Sequence, residues 1–118
     1  STEIPIVTGE NNFTHYDLLP FMKSKKISVL QPDIMRGGYT NLLHTCNLAN
    51  KYGIKIAPHM FPELSIHIVA SIENPSWLEY MGWYDHLWKE PLLPADGMLK
   101  PTNRPGHGMD FKSEICTF

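Results

Sequence analysis

Hydrophobic residues in the first part of the chain occur in short, separate runs of β-branched and apolar side chains. Three such runs lie at residues 4–9, 27–32 and 54–59, and each predicts a short strand, the first of them buried on both faces. A fourth strand is predicted at residues 76–81, where Trp77 would be a core residue. The interval between successive runs is long enough to hold a crossover helix.

Apolar residues at helical spacing fill these intervals. The first helix is predicted to begin near Thr14, which has an acid three residues later, a pattern typical of a helix N-terminus. The glycine pair at residues 37–38 breaks the chain before the second helix, which Thr40 can cap and Gly53 can end. The third helix is predicted from Pro62, because the first turn of a helix accepts proline.

The alternation of strands and helices predicts an α/β fold with a parallel sheet, because helical crossovers are the economical connection between parallel strands. This βα region is predicted to span residues 1–82. Residues 83–118 lose the periodicity and contain several prolines, so they predict an irregular tail. Since the chain enters a strand within a few residues of Ser1, we expect it to be a segment of a longer polypeptide.

An ionisable side chain lies at or near the end of every predicted strand: Glu10, Asp33, His59 and Glu79. Taken singly, a carboxylate at such a position is more often a solvated loop residue or a cap for the next helix. As a set they are more specific, because the C-terminal ends of parallel strands line the ligand site in α/β folds. We therefore expect the four groups to converge on one site.

The types of these residues suggest different chemical roles for them. Asp33 and His59 fit a carboxylate–histidine pair, in which the carboxylate fixes the tautomer and leaves the second ring nitrogen to accept a proton. Glu10 is placed to bind a hard divalent cation such as Mg2+, although one carboxylate is too few for a complete metal site. By position alone, Arg36 and Met60 are candidates for substrate contacts.

Composition excludes some classes of partner. The chain has 118 residues, 42% hydrophobic and 19% charged, with a formal net charge of −2, which is typical of a soluble globular domain without affinity for nucleic acid. No apolar run approaches the roughly 20 residues of a membrane span and no signal peptide is evident, so we expect a cytoplasmic protein without membrane contact. The two cysteines, Cys46 and Cys116, are too few for a disulfide framework and are both expected to be buried thiols.

Several segments carry a family resemblance that covers nearly the whole chain. In order they are VTGENNFT, LQPDIMRGGYTNLL, GIKIAPHMF, NPSWLEYM and LLPADGMLKPTNRPGHGMD. They resemble the C-terminal half of the mandelate racemase and muconate lactonizing enzyme branch of the enolase superfamily. The resemblance implies that the chain is the C-terminal half of a modified TIM (β/α) barrel, strands five to eight, with a tail that returns to a capping domain absent from this sequence.

The resemblance also implies roles for the residues at the strand ends. Glu10 would be the third Mg2+ ligand, Asp33 and His59 the catalytic dyad, and Glu79 the acid that hydrogen-bonds the substrate carboxylate. The family's other two metal ligands and its lysine motif have no counterpart here. We therefore expect the missing N-terminal half of the same protein as a partner and an inactive isolated chain. A homo-oligomeric assembly is expected as well.

The implied reaction begins with abstraction of the proton α to a carboxylate. Dehydration of an acid sugar to a 2-keto-3-deoxy acid is the first choice, and racemisation or epimerisation of a 2-hydroxy acid is the alternative within the family. Cycloisomerisation ranks lower, since those relatives rely on lysine bases where this chain has the Asp33–His59 dyad. A non-catalytic homologue or an inert fragment is the alternative from a different class.

Overall fold

The computed structural model describes residues 3–116. Short strands alternate with helices in its first part, and only single turns of 3-10 helix occur later. The elements are β1 (Val7–Thr8), α1 (His15–Ser24), β2 (Val29–Leu30), α2 (Ile34–Lys51), β3 (Lys55–Ile56), α3 (Pro62–Val69), and the 3-10 turns Asp85–Leu87 and Ser113–Ile115.

The three strands form one parallel sheet in the order β1-β2-β3, which confirms the predicted α/β architecture. The strands are shorter than predicted, but regular pairing continues beyond them. Carbonyl oxygens of Ser28, Leu30 and Pro32 accept in turn from the N–H groups of Lys55, Ala57 and His59, at 3.2, 2.9 and 3.0 Å. This ladder brings the segment that ends in Asp33 alongside the segment that ends in His59, where the two residues form a single parallel bridge.

The prediction of a fourth strand at residues 76–81 is wrong. Pairing there is limited to one parallel bridge between Ile56 and Pro75, with Ile56 N–H bonded to the Asn74 carbonyl at 3.0 Å and Ser76 N–H to the Ile56 carbonyl at 2.8 Å. The backbone beyond Ser76 leaves the sheet. Trp77 is consequently 50% exposed and is not the core residue expected from its position.

The helices begin and end where local signals indicate, with one exception. Thr14 N–H donates to the Asp17 carboxylate at 2.9 Å and the Asp17 N–H to the Thr14 hydroxyl, a complete capping box for α1. Pro62 occupies the first turn of α3 as predicted. Helix α2, however, has an additional first turn that begins at Ile34, because Asp33 caps it, and the predicted break at the glycine pair separates this turn from the longer part of the helix.

The glycine pair interrupts α2 without separating it from the strand before it. Gly38 has φ 73° and ψ 176°, so the first turn, directly after β2, is offset from the longer part of the helix that follows. The helix then runs to Lys51, and Gly53 follows with φ 68°, as predicted for the C-terminal position.

The main core lies between the sheet and the three helices. Its members are buried residues of every element from α1 to α3: Leu18, Met22, Leu30, Ile34, Leu42, Cys46, Ala49, Ile54, Ile56 and Ile68. Cys46 is a buried thiol, as expected, and its burial raises its pKa to about 12. Cys116 is exposed, so the prediction of a second buried thiol is wrong; it follows a 3-10 turn near the end of the chain, outside both core clusters.

Residues 83–116 pack on α3 around a second, smaller cluster. Trp88 stacks on Phe111 with ring centres 4.4 Å apart, and its indole N–H donates to the buried Glu63 carboxylate at 3.2 Å. Ile66, Leu92 and Met109 complete the buried part of this cluster. The buried hydrogen bond to Glu63 and the packing against Ile66 therefore hold this segment on α3, while the Trp88–Phe111 stack lies within the segment itself. None of the helices between residues 3 and 116 is long and apolar enough to cross a membrane.

Candidate active site

Three of the four predicted residues meet at the carboxyl edge of the sheet. His59 lies between two carboxylates, with its Nδ1 3.2 Å from Asp33 Oδ2 and its Nε2 3.4 Å from Glu10 Oε2. The histidine side chain is 23% exposed, so it remains accessible at the surface of this chain. The structure thus brings together residues that are separated by two βα units in the sequence.

Asp33 is held rigidly because it serves two purposes. One oxygen, Oδ1, accepts from the Met35 N–H at 2.7 Å and caps α2, while Oδ2 is hydrogen-bonded to His59 Nδ1. Its side chain is only 9% exposed. From the sequence, helix capping is an alternative to a functional role for Asp33. In the structure the two are compatible, since each carboxylate oxygen has its own partner.

Glu10 is held less firmly. It follows β1 in a loop, its side chain is 50% exposed, and His59 is the one partner of its carboxylate within residues 3–116. A polar cleft of ≈ 270 Å³ lies beside it, lined by Thr8, Asn11, Asn12 and Gln31 among others. The carboxylate is thus available to a ligand in a way that Asp33 is not.

Glu79 reaches the same edge from the irregular segment after the Pro75 bridge. Its Oε2 accepts from the backbone N–H of Met60, the residue after His59, at 2.8 Å. Met60 and Phe61 have φ angles of 48° and 44°, in the left-handed region that costs a non-glycine residue about 1–2 kcal/mol. Met60 and Phe61 are thus no longer in strand conformation, and the third strand segment ends just after His59.

The donor set limits what the chain can do with a metal ion. Glu10 offers a hard carboxylate oxygen, the type of ligand that Mg2+ prefers. Both Asp33 oxygens are already engaged. No group of three or more histidine, cysteine, aspartate or glutamate side chains suited to a metal ion occurs among the residues that the structure describes. Among the described residues, Glu10 therefore suits one ligand position of a Mg2+ site, and the remaining positions have no candidate.

Sequence reasoning missed the role of the residues that hold the Glu10 loop. Arg36, considered only as a substrate contact, donates from its Nε to the backbone carbonyl of Glu10 at 2.6 Å. Asn41, which no sequence motif suggests, bonds to the backbone of Phe13 and His15. One sequence feature could have indicated the position of Arg36. If Asp33 is recognised as the N-cap of a helix, Arg36 falls in the first turn of that helix, beside the incoming loop.

Comparison with known proteins agrees with this architecture. Residues 1–115 match the family described as enolase C-terminal domain-like, and the chain belongs to this family. The solved structure of L-talarate dehydratase from Polaromonas sp. JS666, complexed with Mg and L-glucarate, is similar with a TM-score of 0.90 and 29% identity, over 98% of this chain and 32% of that one. The resemblance inferred from the sequence motifs is thereby confirmed, as is the barrel-type fold.

Two curated relatives show the range of activities among similar proteins. L-talarate/galactarate dehydratase from Salmonella typhimurium is 34% identical over 112 residues, which are 92% of this chain and 27% of that protein. 3,6-anhydro-alpha-L-galactonate cycloisomerase from Streptomyces coelicolor is 31% identical over 111 residues, 91% of this chain and 31% of that protein. The chain thus spans about a third or less of the length of these relatives.

Proposed function

We propose that this chain supplies the proton-transfer half of the active site of a Mg2+-dependent acid-sugar dehydratase. The observation that carries the proposal is the placement of His59 between Asp33 and Glu10 at the carboxyl edge of a parallel sheet. The similarity to talarate and galactarate dehydratases supports acid sugars as the substrate class. The product would be a 2-keto-3-deoxy acid.

In this proposal His59 takes the proton α to the substrate carboxylate. Asp33 accepts a hydrogen bond from Nδ1–H, which orients the imidazole and leaves the lone pair on Nε2. The same histidine, once protonated, can return that proton to the departing β-hydroxyl group. Water is lost and the resulting enol becomes the keto acid. The proton that His59 takes from the α-carbon thus leaves with the hydroxyl group as water, and His59 returns to its neutral form.

Glu10 would be one Mg2+ ligand in the complete site. Bound Mg2+ supplies positive charge that stabilises the negative charge developing on the substrate carboxylate. The further ligands would come from polypeptide outside these 118 residues, as the chain length relative to its relatives suggests. Glu79, whose Oε2 accepts from the Met60 N–H, would act as the neutral acid and donate a hydrogen bond from its other oxygen to the substrate carboxylate.

The test is His59→Asn in the full-length protein, with turnover of an acid-sugar panel measured in the presence of Mg2+. We expect kcat to fall by about 100- to 10,000-fold, the usual contribution of a general base, with the fold unchanged by circular dichroism. The exposed His86 provides a matched control, and His86→Asn should retain activity. Full turnover by the His59→Asn variant would overturn the proposal.

The identity of the product separates the dehydratase from the alternatives. Racemisation or epimerisation was the first alternative from the sequence, and the similarity to a cycloisomerase now favours isomerisation of an anhydro sugar acid as a further candidate. A dehydratase yields a 2-keto acid that reacts with semicarbazide and has lost one water molecule relative to the substrate, whereas the product of an isomerase keeps the mass of the substrate. A racemase or epimerase instead exchanges the α-hydrogen for deuterium from solvent without net loss of water. A non-catalytic homologue would show no turnover and no Mg2+ binding in the full-length protein.

Three organisational features stay predictions. They are a cytoplasmic location, a homo-oligomeric assembly, and the division of the chain into a βα region ending at residue 82 and a tail beginning at residue 83. Cell fractionation tests the first, and light scattering of the purified full-length protein tests the second. Limited proteolysis tests the third, with cleavage expected near the boundary.

A further inference from the structure

The loop that carries Glu10 is attached to the first turn of α2 through Arg36. The Nε of Arg36 donates to the Glu10 carbonyl at 2.6 Å, and one terminal nitrogen donates to the Asn11 side-chain oxygen at 3.3 Å. Hydrogen bonds from a charged donor are about twice as strong as neutral ones. The guanidinium thus holds the backbone of the very residue whose carboxylate faces His59.

The same helix holds the loop further along the chain. The Asn41 amide donates to the Phe13 carbonyl at 3.1 Å and its oxygen accepts from the His15 N–H at 3.0 Å. Gly37 allows the close approach, since a Cβ atom there would lie 2.5 Å from the Phe13 carbonyl oxygen. The loop between β1 and α1 is consequently fixed to α2 at several points, and Arg36 is the one next to Glu10.

This attachment links the two carboxylates on either side of His59. Asp33 caps α2 and binds His59 Nδ1, while Arg36, in the first turn of that helix, binds the backbone of Glu10. The Glu10 side chain has only His59 to hold it within residues 3–116, so its position depends on the backbone beneath it. The N-terminus of α2 therefore helps to position the carboxylates of both Asp33 and Glu10 relative to His59.

We propose that Arg36 is a positioning residue that holds Glu10 in place for Mg2+ binding. This inference rests on the proposed function, because it assumes that Glu10 is a metal ligand. Arg36 acts through the Glu10 backbone, and it contacts the substrate in no step of the proposed reaction. Since Arg36 is exposed, its replacement removes no buried packing.

The test measures Mg2+ affinity by calorimetry in the full-length protein, independently of turnover. Arg36→Met keeps the aliphatic stem and loses both hydrogen bonds, and we expect a loss of affinity of about 10- to 100-fold, as is usual when a partner of a metal ligand is removed. Arg36→Lys retains one charged donor and should restore part of the affinity. Arg104, which pairs with Glu90 at 3.2 Å in the tail, is the matched control, and Arg104→Met should bind Mg2+ normally.

Glu10→Gln separates failure of this inference from failure of the proposed function. If Glu10→Gln weakens Mg2+ binding and Arg36→Met does not, only the positioning role of Arg36 is overturned. If Glu10→Gln binds Mg2+ normally, the metal role of Glu10 and the positioning role both fall. The double variant gives a sharper result, because a residue that acts through Glu10 should add little to the loss already caused by Glu10→Gln.

Discussion

The βα region and the tail of this chain reach stability by different means. From α1 to α3, ten buried residues form one continuous core, and the main-chain ladder runs in register across three strand segments. In residues 83–116, three buried residues, Trp88, Leu92 and Met109, cluster with Ile66 of α3, and Trp88 stacks on Phe111. This segment has 3-10 turns and isolated bridges in place of longer elements.

The difference explains where the candidate site lies. Regular parallel pairing delivers Asp33 and His59 to the same edge in a fixed register, so the alignment of the two side chains is a consequence of the sheet. Between residues 83 and 116 there is no comparable ladder to place groups so accurately. Chemistry that needs atoms held within a few tenths of an ångström is therefore better supported by the βα region.

The largest expected contrast between the two regions is in the reactivity of their cysteines. Burial raises the pKa of Cys46 to about 12, so the thiol stays protonated at pH 8, and the group is also shielded by the core. Cys116 is exposed. We expect iodoacetamide to label Cys116 within minutes and Cys46 only after unfolding, as read by peptide mass spectrometry.

The pH dependence of this contrast has a definite sign. The folded pKa of Cys46 lies above the ordinary value of 9.0, so folding favours the protonated thiol. That contribution to stability is fully present below pH 9 and is lost as the pH rises towards 12. Prompt labelling of Cys46 in the native protein at pH 8 would contradict the description of a tightly packed βα core.

A smaller contrast is expected from deleting one leucine side chain in each region. Leu30 is fully buried in the sheet, and Leu30→Ala should lower the free energy of unfolding by about 2–5 kcal/mol. Leu92→Ala, in the four-residue cluster of the tail, should cost about 2 kcal/mol, the lower end of the same range, because fewer neighbours lose contact. Urea unfolding of the full-length variants measures both values. Equal losses would show that the tail is packed as well as the core.

The smallest expected effect concerns backbone strain, which both regions contain. Met60 has φ 48° beside His59, and Asp96 has φ 51° in the tail. Met60→Gly should raise the free energy of unfolding by up to about 1 kcal/mol, since glycine adopts this conformation freely. Asp96→Gly should change it little, because aspartate tolerates the left-handed region better than methionine does.

Thermal unfolding of these two glycine variants measures the difference, and activity provides a second readout. If Met60 contributes only its backbone N–H to Glu79, Met60→Gly should keep most of the turnover. A Met60→Gly variant that is less stable than the parent would show that the side chain, and not the strain, dominates at this position.

Local signals predicted much of the fold correctly. The Thr14–Asp17 capping box, Pro62 in a first helical turn and Gly53 after α2 each follow from chemistry within a few residues, and the structure contains all three. The failures occurred where a local pattern competes with distant contacts. Residues 76–81 have strand-like composition, yet the Met60 N–H binds the Glu79 side chain and pairing stops at Ser76.

In the candidate site, too, local patterns were predictable and long-range contacts were not. The residue types and their order at the strand ends indicated Glu10, Asp33, His59 and Glu79 from the sequence alone, because a βα repeat returns each strand end to one edge. The attachment of the Glu10 loop by Arg36 and Asn41 could not be read in this way. Those contacts join residues more than 25 positions apart, and no periodicity encodes them.

The sequence by itself determined the periodic features of this protein: parallel βα units, the helix caps, and ionisable groups at the strand ends. Only the tertiary structure decided that Glu10 and Asp33 lie beside different ring nitrogens of His59, that α2 begins at Ile34 with Asp33 as its cap, and that the tail packs on α3. The physical reason is range. Propensities and caps act within a turn or two, whereas these contacts depend on how whole elements pack together.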